Sequence, residues 1–177
     1  MARKHRVWFP GAMYHVTCRG NRKSDIFFDE QDFCTYLDLL EEARSLYPYH
    51  LHSYCLMTNH VHLLLETVND PPTEIMKTVN FHYAIYFNKR HEQVGHVFQG
   101  RYGATLIDDL HHFVVASRYI HMNPVEANMV DAPEHYPWSS YHAFTSEPDP
   151  HVNTTKLLSN FPEPQKENYQ KFVLGSS

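Results

Sequence analysis

Two histidines two positions apart, His60 and His62, stand inside the apolar run Tyr54–Glu66, YCLMTNHVHLLLE. Side chains alternate faces along a strand, so residues i and i+2 point the same way, and the two imidazoles are expected side by side, roughly 7 Å apart at the backbone. Around them Leu56, Met57, Val61, Leu63, Leu64 and Leu65 leave little polar surface on either face, the pattern of a central strand. Thr58-Asn59 interrupts the run and predicts a tight turn, after which a second strand opens with His-Val-His. The other segment able to do chemistry is Ser117–Ala127, SRYIHMNPVEA, where Tyr119 and Asn123 are four residues apart and share one face of a helix. A strand pair of imidazoles facing a helix pair of phenol and amide offers two nitrogen ligands, one oxygen ligand and a nucleophile for covalent catalysis. A free phenol has a pKa of about 10, so it needs a base or a metal-polarised target.

Each of these residues has a plainer reading. Fifteen histidines and twelve tyrosines make any single one weak as a signal; Tyr102 and Tyr83 are the other candidate phenols, and His121 is a further donor near Tyr119. Asn123-Pro124-Val125-Glu126 has the form of a helix start, with Asn at the cap, Pro at the first position and Glu at the third. The residue before a proline also avoids the α region. On that reading Asn123 ends one helix and caps the next, with its side-chain oxygen turned to backbone N–H groups.

The elements that must hold these groups follow from periodicity. Tyr14–Arg19, YHVTCR, alternates as a strand and Gly20-Asn21 turns the chain. Asp29 caps a helix running to about Tyr47, with Phe33, Tyr36, Leu37, Leu40 and Ala43 at helical spacing, and Pro48 stops it. A second helix is expected from about Thr73 to His91, a strand with a bend from Val97 to Ile107, and a third helix from Leu110 to about His121, capped by Asp108 or Asp109. The order strand, helix, strand, strand, helix, strand, extra helix predicts an α+β fold: a ferredoxin-like split βαβ sandwich, its antiparallel sheet covered on one face by two helices. The third helix, which carries Tyr119, or a ligand is left for the other face.

A chain of 177 residues with 42% apolar content suits one domain, here taken as residues 1–145, followed by a Pro- and polar-rich tail, 146–177, with a short helix near Glu167–Val173. Cys18, Cys34 and Cys55 form no CxxC pair and suggest a reducing compartment. The start, MARKHRVWFPG, lacks the apolar core of a secretory signal, and no run approaches the roughly 20 residues of a membrane span. The net charge of −5 does not advertise a nucleic-acid binder. Its distribution says more: ahead of Asp25 stand Arg3, Lys4, Arg6, Arg19, Arg22 and Lys23 with no acidic residue among them, a local cationic segment on an acidic protein.

Taken in order, YHVTCRGN, DIFF, MTNHVHLLLE, FNKRHEQVGHVFQGRY, RYIHMNPVEA and YPWSSY resemble the REP-associated tyrosine transposases, a branch of the HUH single-tyrosine (IS200-like) transposases. HVHLLLE is similar to the histidine–hydrophobic–histidine signature of that family, and the resemblance runs from about Tyr14 to Tyr141. It implies that His60, His62 and Asn123 bind one divalent cation per site, Mg²⁺ or Mn²⁺; the donor set alone suits zinc or manganese as readily as magnesium. It implies that Tyr119 attacks a phosphodiester of single-stranded DNA, leaving a 5′-phosphotyrosine linkage and a free 3′-hydroxyl, so that a second 3′-hydroxyl can rejoin the ends. The partner implied is hairpin DNA with single-stranded flanks, in a bacterial cytoplasm at the nucleoid, with the protein a monomer or homodimer and no membrane involved. In that role Arg3, Lys4, Arg6, Arg19, Asn21, Arg22 and Lys23 would hold DNA phosphates, with Arg101 and Arg118 steadying the scissile strand. The competing functions are a non-catalytic hairpin-binding regulator on the same fold and a metallohydrolase in which Tyr119 is only structural.

Overall fold

The fold is that of a computed structural model, which describes residues 7–175. Arg3, Lys4 and Arg6 of the cationic segment lie outside the described residues. The chain runs β1 (Met13–Arg19), α1 (Glu30–Leu46), β2 (Tyr49–Met57), β3 (His60–Thr67), α2 (Pro72–Arg90), β4 (Gly103–Ile107) and α3 (Leu110–Glu126), followed by three short helices, α4 (Tyr141–Thr145), α5 (Thr155–Leu158) and α6 (Gln165–Leu174). The strands form one antiparallel sheet in the order β2-β3-β1-β4, the α+β split βαβ arrangement. Thr58-Asn59 is the turn between β2 and β3.

Alternation assigns the faces. Tyr14, Val16 and Cys18 of β1 and Val61, Leu63 and Leu65 of β3 pack against Phe33, Tyr36, Leu37 and Leu40 of α1 and Ile75, Val79, Tyr83 and Phe87 of α2. Asp29 caps α1 by accepting from the Asp32 backbone N–H, as its place before the apolar periodicity requires. The opposite parity sends His60, His62 and Leu64 of β3 and His15, Thr17 and Arg19 of β1 to the other face. In β2 a bulge between Leu51 and Ser53 shifts the register by a residue, so Leu51 lies on the same side as Tyr54 and Leu56.

The second face has its own core. Phe113, Ala116 and Ile120 of α3 cover Cys55, Met57, Leu64 and Ile107, joined by Tyr141 and Phe144 of α4, Leu157 and Leu158 of α5, and Tyr169 and Val173 of α6. The apolar residues scattered through the polar C-terminal sequence are the ones this core uses. Trp138–Ser140 closes the open edge of β2: Leu56 N–H donates to Trp138 O at 2.8 Å and Ser140 N–H to Tyr54 O at 3.0 Å, which removes part of an exposed strand edge. Trp138 also stacks on Phe33 at 4.4 Å.

Two elements differ from expectation. The last strand holds only Gly103–Ile107; Phe98 makes a single bridge with Gly20, and Gly100 at φ 89° turns the backbone before pairing resumes. The third helix does not end at Asn123 but continues to Glu126 with Pro124 inside it. Asn123 is therefore no cap; its Nδ2 donates backward to Tyr119 O at 3.0 Å.

His121, on the same helix, is fully buried and turned away from the sheet histidines. Its Nδ1 pairs with the Tyr169 hydroxyl at 2.7 Å and its Nε2 with Ser140 Oγ at 2.9 Å. Burial pulls its pKa down to about 3, against about 6.5 for an unfolded chain. The folded state thus binds fewer protons than the unfolded state between those values, and His121 contributes stability that is complete above about pH 6.5 and is lost progressively as pH falls toward 3. Urea titrations from pH 7 to pH 4 are expected to show a fall in stability that His121→Gln flattens; equal slopes for the two proteins would refute the assignment.

Candidate active site

The ends of β1 and β3, the β2–β3 turn and the middle of α3 meet at one corner of the molecule. Antiparallel pairing sets Arg19 opposite His60 and Thr17 opposite His62. The corner is held by the backbone: Gly20 N–H donates to Asn59 O at 2.8 Å, and Ile26 and Phe27 N–H both donate to Thr58 O. Gly20 is required there, since a Cβ would lie 2.0 Å from Ser24 O. Thr17, Cys18, Arg19, His60, His62 and Tyr119 line a cleft of about 250 Å³.

Tyr119 enters this cleft from the margin of the buried face of α3 and remains 45% exposed. Its ring stands edge-on to His62 at 5.6 Å and to His15 at 5.7 Å between centroids. The other candidate phenols are on the far side of the sheet: Tyr83 is buried with its hydroxyl on Ile26 O, and Tyr102 is buried with its hydroxyl 3.0 Å from Thr73 Oγ1. One turn beyond Tyr119, the Asn123 side chain acts on both His60 and His62, opposing the effect of burial on their pKa values. The two imidazoles have centroids 4.9 Å apart.

Each ring keeps one nitrogen for this meeting point. His60 Nδ1 pairs with Asn59 Oδ1 at 2.6 Å, and His62 Nδ1 with His15 Nε2 at 2.9 Å, which leaves Nε2 of both. The rings are held neutral. Burial, then the neighbouring His15 and His60, pull His62 down to about 3; burial, opposed by Asn123, lowers His60; burial and then His112 pull His15 down to about 4. A neutral imidazole has the lone pair that a metal requires. Among the described residues no group of three or more His, Cys, Asp or Glu is placed to hold a metal ion.

The basic residues divide. Arg19 is exposed on the rim of the cleft, and Asn21, Arg22 and Lys23 form the 3₁₀ turn just beyond it. Arg22 and Lys23 have φ values of 54° and 63°. Arg101 is exposed in the bend before β4. Arg118 points away from the cleft, with Nε donating to Phe172 O at 3.1 Å and Val173 O at 3.0 Å. His15 and Asn59 were not singled out in the sequence. The signal available for His15 was its parity with Arg19 on a strand, which becomes informative only with the register to β3.

The fold agrees with what comparison finds. The family model for IS200-like transposases matches residues 9–123, and the chain belongs to that family. A solved structure of the REP-associated tyrosine transposase bound to a REP hairpin superposes with a TM-score of 0.69 at 16% identity, covering 80% of this chain and 84% of that one; this likeness shows a shared fold. A candidate transposase from Deinococcus radiodurans R1 aligns with a TM-score of 0.47 at 17% identity, over 60% of this chain and 87% of that one. No curated protein matches the sequence. No helix among the described residues is long and apolar enough to cross a membrane.

Proposed function

We propose that this transposase-family protein nicks single-stranded DNA beside a hairpin and transfers the strand through a covalent bond to Tyr119. The observation that carries the reading is the placement of one exposed phenol, on α3, over a cleft floored by His60 and His62, with Asn123 a turn away on the same helix. His60, His62 and Asn123 would hold one divalent cation, Mg²⁺ or Mn²⁺, which supplies Lewis-acid polarisation of the scissile phosphate.

The protein's own groups do the rest. The Tyr119 oxygen forms a bond to phosphorus as the bond from phosphorus to the 3′ oxygen breaks; the phenolic proton passes to solvent and the departing 3′ oxygen takes one up. The phosphotyrosine keeps the energy of the original ester, so a second 3′-hydroxyl reverses the step and joins new ends. The α3 helix holds the phenol in place, which lowers the entropic cost of the attack. Arg19, Asn21, Arg22, Lys23 and Arg101 would hold phosphates flanking the cleft, and hairpin DNA, of the kind to which the structural neighbour is bound, would be the partner.

The test is a denaturing gel of labelled hairpin DNA with single-stranded flanks, run with Mn²⁺, with Mg²⁺ and with chelator. A slow covalent band that needs the cation is the expected result. Cleaved DNA without that band would replace the reading with hydrolysis, and a hairpin bound but uncut across a panel of hairpins would replace it with a regulatory role. Neutralising Arg19, Arg22 and Lys23 together is expected to weaken hairpin binding and to flatten the slope of log K against log salt by about 2–3, given roughly 0.7–0.9 per phosphate contact; an unchanged slope would remove these residues from the DNA surface.

A further inference from the structure

Each of the three groups that meet at the cleft is held by one hydrogen bond from outside it. Asn123 is turned by its Nδ2 bond to Tyr119 O, a bond that does not use its oxygen. The Asn59 amide is turned by its own Nδ2, which donates to Lys23 O at 3.2 Å, and so presents Oδ1 to His60 Nδ1. An amide oxygen only accepts, so His60 must carry its proton on Nδ1 and keep its lone pair on Nε2. At His62 the corresponding place is taken by His15, with its Nε2 on His62 Nδ1. His15 does not act as a further ligand, because the nitrogen nearest the site is spent on this bond, and no group of three histidines here is placed to hold an ion.

Resting on the reading that His60, His62 and Asn123 bind a divalent cation, we propose that His15 and Asn59 are the positioning residues of that centre: they fix the orientation of its two rings, and the acceptor oxygen of Asn59 fixes the Nδ1–H tautomer of His60, so that both Nε2 atoms converge beside the Asn123 side chain. Metal-bound histidines generally donate their second N–H to a partner, and losing that partner costs about 10–100-fold in metal affinity. Both positioning residues are also built into the nucleic-acid side of the site. Asn59 is tied to the turn bearing Lys23, and the His15 ring lies edge-on to Tyr119 at 5.7 Å, so the same bonds set the histidines relative to the nucleophile.

The experiment measures Mn²⁺ binding, by loss of the free-ion resonance, for wild type, His62→Ala, His15→Leu, His15→Gln and Asn59→Leu, each checked for folding by circular dichroism. His15→Leu and Asn59→Leu are expected to bind about 10–100-fold more weakly than wild type, His62→Ala to lose binding, and His15→Gln, which returns an acceptor oxygen, to recover most of it. A second readout needs neither variant nor metal: long-range ¹H–¹⁵N spectra of metal-free wild type should show His60 as the Nδ1–H tautomer. Equal Mn²⁺ affinity in wild type and both leucine variants would overturn the inference and leave the metal reading standing. No Mn²⁺ binding by wild type would overturn the metal reading and the inference with it. His60 found as the Nε2–H tautomer would overturn the role of Asn59 whatever the Mn²⁺ result.

Discussion

Tyr119→Phe is expected to abolish the covalent protein–DNA species and to reduce strand cleavage by roughly four to six orders of magnitude, the scale on which removal of a covalent nucleophile acts. The substitution deletes one oxygen from a ring that is 45% exposed, so folding should change by no more than about 0.5 kcal/mol. The ring still stands over His62 and His15, and Arg19, Arg22 and Lys23 are untouched, so the hairpin should bind as before in a native gel. The separation of the two effects is the point of the measurement. Adducts that persist in Tyr119→Phe would move the nucleophile to another tyrosine. Cleavage that persists without adducts would show that water, not the phenol, is the attacking group.

The largest expected effect on folding comes from Asp32, whose side chain is inaccessible to solvent although Arg90 and Asp29 beside it are open to water. Its carboxylate accepts from Phe28 N–H at 2.8 Å, from the Tyr86 hydroxyl at 2.9 Å, from Arg90 at 2.5 Å and from His91 at 2.9 Å. Asp32→Ala leaves the Phe28 and His91 donors without their acceptor, while Arg90 can turn to water and keep Asp29. The expected cost is therefore about 3 kcal/mol, at the low end of what breaking a buried charged pair brings, or a fall in Tm of roughly 6–12 °C for a chain of this size. Burial pushes the Asp32 carboxyl up, but the bonds from Phe28, His91, Arg90 and Tyr86 outweigh it and hold its pKa below the usual value. Its contribution is thus complete above about pH 4 and is lost as pH falls through the lowered folded value. The gap between wild type and Asp32→Ala should close in acid; a gap that stays constant there would show that shape, not charge, is what Asp32 provides.

The split βαβ order was legible because its signals are local. The period of two in Tyr14–Arg19, the period of 3.6 in α1 and α2, and the Thr58-Asn59 turn each need only a short window of sequence. Tyr119 and Asn123 could likewise be paired by their four-residue offset. The failures share a physical origin in contacts across long separations. Asn123-Pro124 reads as a helix start until the burial of Ile120, His121 and Pro124 carries α3 through it, a case of tertiary packing overriding a local preference. Arg118 looks available for phosphate until α6, more than fifty residues later, presents its carbonyls. His15 looks like an ordinary strand residue until β1 is laid beside β3. The C-terminal apolar residues look scattered because their partners belong to another element, not to one another.

The helix that carries Tyr119 is bolted down from behind. Its cleft side bears the phenol, and its rear side bears Ser117, Arg118 and His121, which are joined to Tyr169, to the carbonyls of Phe172 and Val173, and to Ser140. A beam clamped along its back resists sliding or rolling. On the proposed mechanism, a phosphotyrosine at Tyr119 would therefore move mainly through its own side-chain torsions, and the DNA ends would have to come to it.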